Sequence, residues 1–334
     1  MNQVDETMEP VMSNAVSAAQ PDASASRFHA GERAAQARAG VPDAYAQAAQ
    51  RAIRDAMPEQ HRTFFAAQPF IVLGGLDPTG QPWATLRTGE PGFVSSPDSR
   101  TLHIAGAEVA GDPLTHYWNA GALLGVLGIQ PTTRRRNRAN GVISAREGSV
   151  LTVDIRQSFG NCPRYIQART PAYKPAGQAA APAVDVSTRL STEDRALIAT
   201  ADTLFIATAN NAPDAGPGRG ADVSHRGGRA GFVRIDDDRT LTVPDFNGNG
   251  YFNTIGNLLE DPRAGLLFVD FATGDLLFVA ADAQIVWEGP ELHAHPGAER
   301  LMRLRITEAR RSRHALPFRW SAREYAPQLV RAEG

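Results

Sequence analysis

Short apolar runs, most of them the length of a strand, recur along most of the chain. From Leu151 to Arg156 apolar residues alternate with polar ones, which is the two-residue period of a half-buried strand. Comparable segments are bounded by Gly, Pro, Asp or Asn, and they include PWATLRTGE, GALLGVLGIQ, NGVISAREGS, TLFIATANN, AGLLFVDF and GDLLFVAADAQIVW. The pattern predicts a mostly antiparallel barrel with few helices, and it does not predict a doubly wound parallel sheet.

Several segments between these runs favour helices. The Ala-, Gln- and Arg-rich stretch from Glu32 to Met57 predicts two short helices separated at Val41-Pro42. The segment STEDRALIATAD predicts a helix with Ser191 or Thr192 as its N-cap. We also expect helices at HRTFFAAQ, GDPLTHYWNAG and NTIGNLLEDP.

One segment of the chain is repeated. RTGEPGFVSSPDSRTL, which begins at Arg87, and RGGRAGFVRIDDDRTL, which begins at Arg226, are identical at nine of sixteen positions without a gap. The order of the flanking strand-like segments repeats as well, which indicates a duplicated domain. We therefore predict two copies of one small barrel, in which Arg87 and Arg226 occupy the same position.

Composition places the domain boundaries. Few large apolar residues occur over 1–26, and Pro, Ala and Gly dominate PAYKPAGQAAAPAVDVSTR. The predicted divisions are a disordered lead over 1–26, a helical segment over 27–68, a first barrel over 69–170, a linker over 171–190, and a second barrel with a C-terminal tail over 191–334.

Charge and cysteine content exclude several classes of protein. The formal net charge is -2, so no global basic field attracts nucleic acid or an anionic membrane. Cys162 is the only cysteine, which excludes an internal disulfide and suits a reducing compartment. No apolar run reaches ~18 residues and no signal-peptide pattern is present, so we expect a cytoplasmic protein. Lys174 is the only lysine, so a bound phosphate would be held mainly by arginine, hydroxyl groups and backbone amides.

The second copy resembles the flavin-binding split barrel of the pyridoxamine 5'-phosphate oxidase superfamily. The segments ADVSHRGGRAGFVRIDDDRTLTVPD, NTIGNLLEDPRAGLLFVDF and GDLLFVAADAQI stand in the order of that family, and the first copy, with TRRRNRANG and SFGNCPRYIQ, resembles the same fold. The resemblance covers roughly residues 60–325. It implies a mainly β fold with some α (α+β), built as two tandem split β-barrels with a few short helices each. It also implies FMN in a groove between paired barrels, and here one chain could supply both barrels.

Three segments supply candidate ligands for the FMN phosphate. Two-residue spacing places Ser224 and Arg226 on one face of a strand, and the glycine that follows would let a ligand approach the backbone. The loop and helix start after this strand carry asparagine and threonine, whereas the related oxidases have Arg and Lys there. The candidates are Ser224, Arg226 and Gly227; Asn247, Asn249, Asn253 and Thr254; and Arg135, Arg136 and Arg138.

Each candidate has a structural alternative. Arg226 could be a surface arginine beside a turn, Asn253 or Thr254 could cap a helix, and the run Arg134–Arg138 could be a solvated face. Arg87 could serve a second, degenerate groove. A buried Cys162 and a loop containing His293 and His295 are favoured over a redox thiol and a metal site.

The leading hypothesis is an FMN-dependent oxidoreductase with a small-molecule substrate, an unknown electron donor or acceptor, and a possible homodimeric state. The alternative is a non-enzymatic protein that binds flavin or haem. His29, His61 and His225 are the candidate haem ligands. No protein metal site is predicted.

Overall fold

The computed structural model describes residues 26–174, 183–213 and 215–330. Strands dominate these residues. The strands are β1 (Phe70–Leu76), β2 (Pro82–Thr88), β3 (Val94–Ser95), β4 (Thr101–Ile104), β5 (Ala107–Glu108), β6 (Leu123–Gln130), β7 (Arg135–Glu147), β8 (Val150–Gly160), β9 (Pro171–Tyr173), β10 (Ala183–Ser187), β11 (Thr203–Asn210), β12 (Gly220–Gly227), β13 (Arg234–Ile235), β14 (Thr240–Phe246), β15 (Arg263–Val269), β16 (Leu276–Val286), β17 (Ala298–Arg313) and β18 (Phe318–Trp320).

Helices are short and lie mainly before the first sheet and at the edges of the second. They are α1 (Ala30–Arg38), α2 (Asp43–Ala52), α3 (Glu59–Ala66), α4 (Thr192–Thr200), α5 (Asn253–Glu260), α6 (Pro290–His293) and α7 (Pro327–Val330), with 3-10 turns at Pro131–Thr133 and Gly216–Gly218. Among the described residues, no helix combines the length and the apolar character needed to span a membrane.

The two large sheets have the same strand order. The first runs β3-β4-β8-β7-β6-β1-β2, with β5 added at its edge, and the second, taken in the same direction, runs β13-β14-β17-β16-β15-β11-β12. Every pair is antiparallel. The predicted fold class, mainly β with two split barrels in tandem, is confirmed.

The strand register fixes which residues of the two barrels correspond. Arg87 lies opposite Ile71 in the β1–β2 hairpin, and Arg226 lies opposite Leu204 in the β11–β12 hairpin. A register shift follows Asn140 in β7, and another occurs at the corresponding place in β16. The two arginines therefore occupy equivalent positions, as the repeated segment predicts.

The barrels pack face to face through equivalent glycines. A Cβ on Gly125 of β6 would lie 2.7 Å from the carbonyl oxygen of Ala221, and one on Gly265 of β15 would lie 2.3 Å from that of Pro82. Both contacts are with backbone, so a larger residue would force the sheets apart. One apolar core cluster includes residues of both barrels, which joins them into one body.

Local sequence explains several helix boundaries. Ser191 caps α4 in a reciprocal pair with Asp194, as predicted. The two N-terminal helices are separated at Val41-Pro42, also as predicted, and α1 packs against α5. At that contact a Cβ on Gly31 would lie 2.2 Å from the carbonyl oxygen of Gly256, so the two helices meet backbone to backbone.

The helix predicted at GDPLTHYWNAG is wrong, because turns occupy this segment. The Asp112 side chain accepts a hydrogen bond from the backbone N–H of Leu114, which favours a turn over a helix. Glycines with φ of 75° and 88° bound the segment at Gly111 and Gly121. Leu114 and Trp118 then enter the core individually.

The predicted linker over 171–190 is paired at both ends. Its first residues form β9, which pairs with β18, and its later residues form β10, which pairs with β17. Residues 175–182 lie outside the described residues, as does the predicted lead up to residue 25. The other domain boundaries stay predictions.

Candidate functional site

A cavity of about 440 Å³ lies between the two barrels. The first barrel contributes β7, the second contributes β12, β14 and the N-terminus of α5, and the segment that joins α1 to α2 covers one side. We call this cavity the polar groove. Its size is in the range of small-molecule and cofactor sites, about 300–1,000 Å³.

Arg138 is the cation at the floor of the polar groove. It is buried, with 5% of its surface exposed, and its Nη1 forms an ion pair with Asp222 at 2.9 Å. Its Nη2 donates to the hydroxyl of Ser224, which also accepts a 2.9 Å hydrogen bond from Thr254. Among the described residues its Nε has no hydrogen-bond partner. Because Arg138 also lines the cavity, its guanidinium brings a buried positive charge to the cavity wall.

The N-terminus of α5 also faces the polar groove. Phe252 precedes the helix with φ of 62°, and no side chain caps the first turn. Residues from Phe252 to Ile255 line the cavity. The amides of the first turn and the helix dipole therefore favour an anion beside Arg138 and Ser224.

Arg226 forms part of a second charged cluster. Asp245 pairs with Arg226 and, at 2.6 Å, with Nη1 of Arg300, which also packs between the rings of Phe252 and Trp287. The Nε atoms of both arginines are buried without a hydrogen-bond partner in the described part of the chain. Arg226 is thus neither fully committed to Asp245 nor a free surface arginine.

Arg136 lines the polar groove but is largely committed to the protein. Its guanidinium donates to the carbonyl oxygens of Cys162, Arg164 and His225 at 2.9–3.1 Å. Burial, with Arg138 and Arg226 nearby, lowers its pKa to about 9. Arg136 therefore fastens the segment after β8 to β12, and its positive charge adds to the field of the groove.

A carboxyl group from α1 lies beneath the groove. Glu32 accepts hydrogen bonds from the backbone N–H of His29 and from the side chain of Asn253, at 2.9 and 2.5 Å. Burial and the nearby Asp222 raise the pKa of Glu32 to about 8. The sequence analysis did not identify this residue, because its 221-residue separation from Asn253 leaves no local signal.

The remaining candidate residues divide between the cavity and other roles. Asn247 and Asn249 line the cavity, where they also bond Glu299 and Asn161. A Cβ on Gly227 would lie 2.2 Å from the carbonyl oxygen of Tyr165, so this glycine makes room for protein backbone and not for a ligand.

Arg135 is the second candidate that the structure does not bring to the groove. Successive residues of a strand point to opposite faces, so Arg135 and Arg136 face opposite ways. Arg135 is exposed and lies over the ring of Phe64. Its proposed part in anion binding is corrected for this reason.

The equivalent place on the opposite side of the barrel interface is apolar. The register places Leu276, Phe278 and Ala280 of β16 where β7 has Arg136, Arg138 and Asn140. On the facing strand Trp83, Thr85 and Arg87 correspond to Asp222, Ser224 and Arg226. We call this place the apolar groove.

Arg87 is not available to a ligand in the apolar groove. It is 0% exposed, and it pairs with Glu108 and donates to the carbonyl oxygens of Ile104, Ala105 and Ser149. A surface depression of about 740 Å³ overlies the groove, but neither Arg87 nor Phe278 lines it. The hypothesis of a second site at Arg87 is therefore not supported.

Several other residues of the polar groove were not predicted from the sequence, for different reasons. Asp222 had a usable signal, because it stands two residues before Ser224 and so on the same strand face. Asp245, Arg300 and Tyr45 had none, since the strand order and the path of the N-terminal helices place them there.

The candidate haem ligands are engaged elsewhere. His29 bonds Asn257 and His61 bonds Ser158, both at 2.8 Å, and neither lines the polar groove. His225 lies at the groove with Nδ1 3.2 Å from Arg136, and burial lowers its pKa well below the usual value. Within the described ranges, no group of three or more His, Cys, Asp or Glu could hold a metal ion.

No family model matches the chain, and no curated protein matches it. Similar solved structures include a protein of the pyridoxinephosphate oxidase family from Clostridium acetobutylicum, at 10% identity, covering 41% of this chain and 94% of that one, with a TM-score of 0.26. An FMN-binding protein from Syntrophomonas wolfei is 14% identical, with coverages of 35% and 86% and a TM-score of 0.24. A FAD-binding protein from Mesorhizobium loti is 16% identical, with coverages of 39% and 97% and a TM-score of 0.24.

The protein from Clostridium acetobutylicum belongs to the oxidase family that the sequence resembles. The split-barrel fold of this chain is defined by the shared strand order of its two sheets.

Proposed function

We propose that the polar groove binds one flavin per chain, in the form of FMN, and that the protein is an FMN-dependent oxidoreductase. The supporting observation is the convergence of Arg138, Ser224 and Thr254 with the uncapped N-terminus of α5 in one cavity. A phosphate dianion needs positive charge and several directed donors, and this arrangement supplies both.

The residues fit the group in three respects. Arg136, Arg138, Arg226 and Arg300 all line the cavity, so an anionic ligand there meets positive charge from several sides. The cavity of about 440 Å³ suits a ligand of mononucleotide size. Tyr45 and the loop from Asn247 to Gly250 line the part of the cavity available to the rest of the ligand.

The roles of the protein residues follow from this placement. Arg138 and Ser224 hold the phosphate against α5, and the Arg226–Asp245–Arg300 cluster presents fixed donors beside it. Bound flavin would supply electron or hydride transfer, while the protein positions the ring and limits water. The substrate is a small molecule, and an electron donor or acceptor completes the reaction; the cytoplasmic location and a homodimeric state remain predictions.

Absorption and fluorescence titration of purified protein with FMN and riboflavin test the proposal. We expect one FMN per chain and much weaker riboflavin binding. Replacing both partners of the buried pair, Arg138→Met with Asp222→Asn, removes the cation together with the carboxylate that it bonds directly. At pH 7 the remaining Glu32 stays largely protonated, because its pKa is raised to about 8, and FMN binding should weaken by about 10- to 150-fold.

Arg135→Ala is the matched control, since it removes one charge from the same arginine run but lies away from the cavity. It should leave FMN affinity unchanged. Equal losses for FMN and riboflavin would contradict a phosphate site. A Soret band with no flavin binding would instead favour the alternative of a haem-binding protein.

A further inference from the structure

Three charged side chains from separate elements meet beneath the phosphate position. Glu32 comes from α1, Asp222 from β12 and Arg138 from β7, and their side chains are 4%, 12% and 6% exposed. One guanidinium therefore serves two buried carboxyl groups. Fully ionised, the cluster carries one excess negative charge.

Arg138 interacts more closely with Asp222 than with Glu32. Arg138 bonds Asp222 directly at 2.9 Å. It reaches Glu32 only through Asn253, whose side-chain oxygen accepts from Arg138 at 3.4 Å and whose amide donates to Glu32 at 2.5 Å. Glu32 lacks a direct arginine partner, and its nearest basic group is His29, whose Nε2 lies 3.5 Å from Glu32 Oε2.

The other charged groups around Glu32 do not remove the excess charge. On α1 these are His29, whose pKa is lowered by burial, and Arg33; on α5 the nearest is the exposed Glu260. Arg33 and Glu260 have opposite signs and shift the pKa of His29 in opposite directions. His29 uses Nε2 to bond the side-chain oxygen of Asn257, in the manner of a neutral imidazole.

We propose that Glu32, beside the ion pair of Asp222 and Arg138, is a proton-binding site coupled to the groove, and that binding of a phosphate dianion makes Glu32 take up one proton from solvent. The proposal rests on the proposed phosphate position. The proton leaves water or buffer and binds a carboxyl oxygen, so no other reactant is required. The dianion and an ionised Glu32 would repel each other across the first turn of α5, and protonation removes this repulsion.

The coupling predicts a definite pH dependence. Burial raises the pKa of Glu32 to about 8, so the free protein is already protonated well below that pH and no uptake is needed. Above pH 8 the free protein has lost the proton and must regain it on binding. FMN affinity should then fall by up to about tenfold per pH unit. The second pKa of phosphate, ≈ 6, lies outside this window.

Calorimetric titration at pH 8.5, in two buffers of different ionisation enthalpy, measures the proton uptake directly. Wild-type protein should take up more than half a proton per FMN, and none with riboflavin. Glu32→Gln should remove most of the uptake at pH 8.5, and the uptake that remains, with the remaining fall in FMN affinity towards pH 9, is expected from Arg136, whose pKa is lowered to about 9. Glu260→Gln, a change of the same kind at the exposed neighbour, should behave like wild type.

FMN binding without proton uptake, or uptake in Glu32→Gln as large as in wild type, would overturn the proposal. If Glu32→Gln does not fold, as judged by thermal melting, Asp222→Asn provides the second test. It removes a charge that raises the pKa of Glu32, so the pH range of proton uptake should move below that of wild type, and an unchanged range would reject the proposal. If wild-type protein binds no flavin, the proposed function fails; inorganic phosphate in the same calorimeter then tests the coupling separately, and binding without uptake or no binding at all rejects it.

Discussion

The two grooves at the barrel interface are equivalent by fold and opposite in content. One presents Arg138 and Ser224 beneath a helix N-terminus, whereas the other has Phe278 and Thr85 at the same register positions. Arg138 lies over the ring of Phe159, and across the interface the residue at the position of Phe159 is Arg310, which lies over Trp83. In the first barrel β7 carries the arginine and β8 the aromatic residue, whereas in the second β16 carries the aromatic residue and β17 the arginine.

This difference shows what duplication permits within one chain. Two identical subunits must present two identical grooves, because symmetry makes every substitution appear twice. A fused pair can change each groove separately. Here Trp83 and Phe278 join the core cluster that includes residues of both barrels, while Arg138 and Arg226 line an open cavity in the polar groove. If the polar groove binds a ligand as proposed, stability and binding belong to opposite sides of one interface.

The largest expected effect lies in the apolar groove. Phe278 is 0% exposed within the shared core, so Phe278→Ala should lower the free energy of unfolding by about 3–5 kcal/mol. Denaturant melts measure this loss. FMN affinity of the molecules that remain folded should be nearly unchanged, and a flavin-specific defect without loss of stability would show that both grooves bind ligand.

The equivalent arginines provide the next test. Arg87→Ala removes a buried cation and leaves Glu108 and three backbone oxygens without this donor. We expect a loss of about 3 kcal/mol in unfolding free energy and little change in FMN affinity. A stable Arg87→Ala variant with weakened FMN binding would restore the second site that the structure does not support.

Arg226→Ala should have the opposite effects, with little change in stability and a clear loss of FMN affinity. Arg300 still neutralises Asp245, so stability should change little. The lost charge-assisted bond to phosphate contributes about 1.5 kcal/mol at the low end of its range, since Asp245 already shares the guanidinium. FMN affinity should fall roughly tenfold, and riboflavin affinity should not. Fluorescence titration of both ligands decides this, and Arg226→Lys should recover part of the loss.

The fold could be predicted from the sequence because the patterns that indicate it are local or repeated. Alternation over Leu151–Arg156, the cap at Ser191 and the duplicated hairpin each depend on neighbouring residues. The predicted helix over GDPLTHYWNAG failed because the turn at Asp112 and the burial of Trp118 outweigh helical propensity. Tertiary packing decides such segments, and composition does not report it.

Only part of the candidate site could be predicted from the sequence. Ser224 and Arg138 could be found because strand periodicity and an anomalous charge at a strand position are visible in the sequence. Glu32 and Arg300 could not, since they reach the groove through the docking of α1 and the register of β17. Arg135 was wrongly included because a run of arginines hides the alternation of strand faces.

The smallest expected effect concerns the cover over the polar groove. In the described part of the chain the N-terminal helices reach this groove but not the apolar one, and the Tyr45 hydroxyl donates a 3.0 Å hydrogen bond to the carbonyl oxygen of Asn249. The bond is exposed, so Tyr45→Phe should weaken the attachment of α2 to the Asn249 loop by only about 0.5–1 kcal/mol. At 1.4 kcal/mol per tenfold this predicts a two- to fivefold faster dissociation of FMN, with association and stability nearly unchanged.

Tyr117→Phe is the matched control for this prediction. Tyr117 is a similarly exposed tyrosine, 38% against 49% for Tyr45, and it lines the depression over the apolar groove. Because no ligand is expected there, its loss of a hydroxyl should not alter FMN dissociation in stopped-flow fluorescence. Equal acceleration in both variants would indicate a general loosening of the interface, and no acceleration in Tyr45→Phe would show that the α1–α2 segment does not retain the ligand.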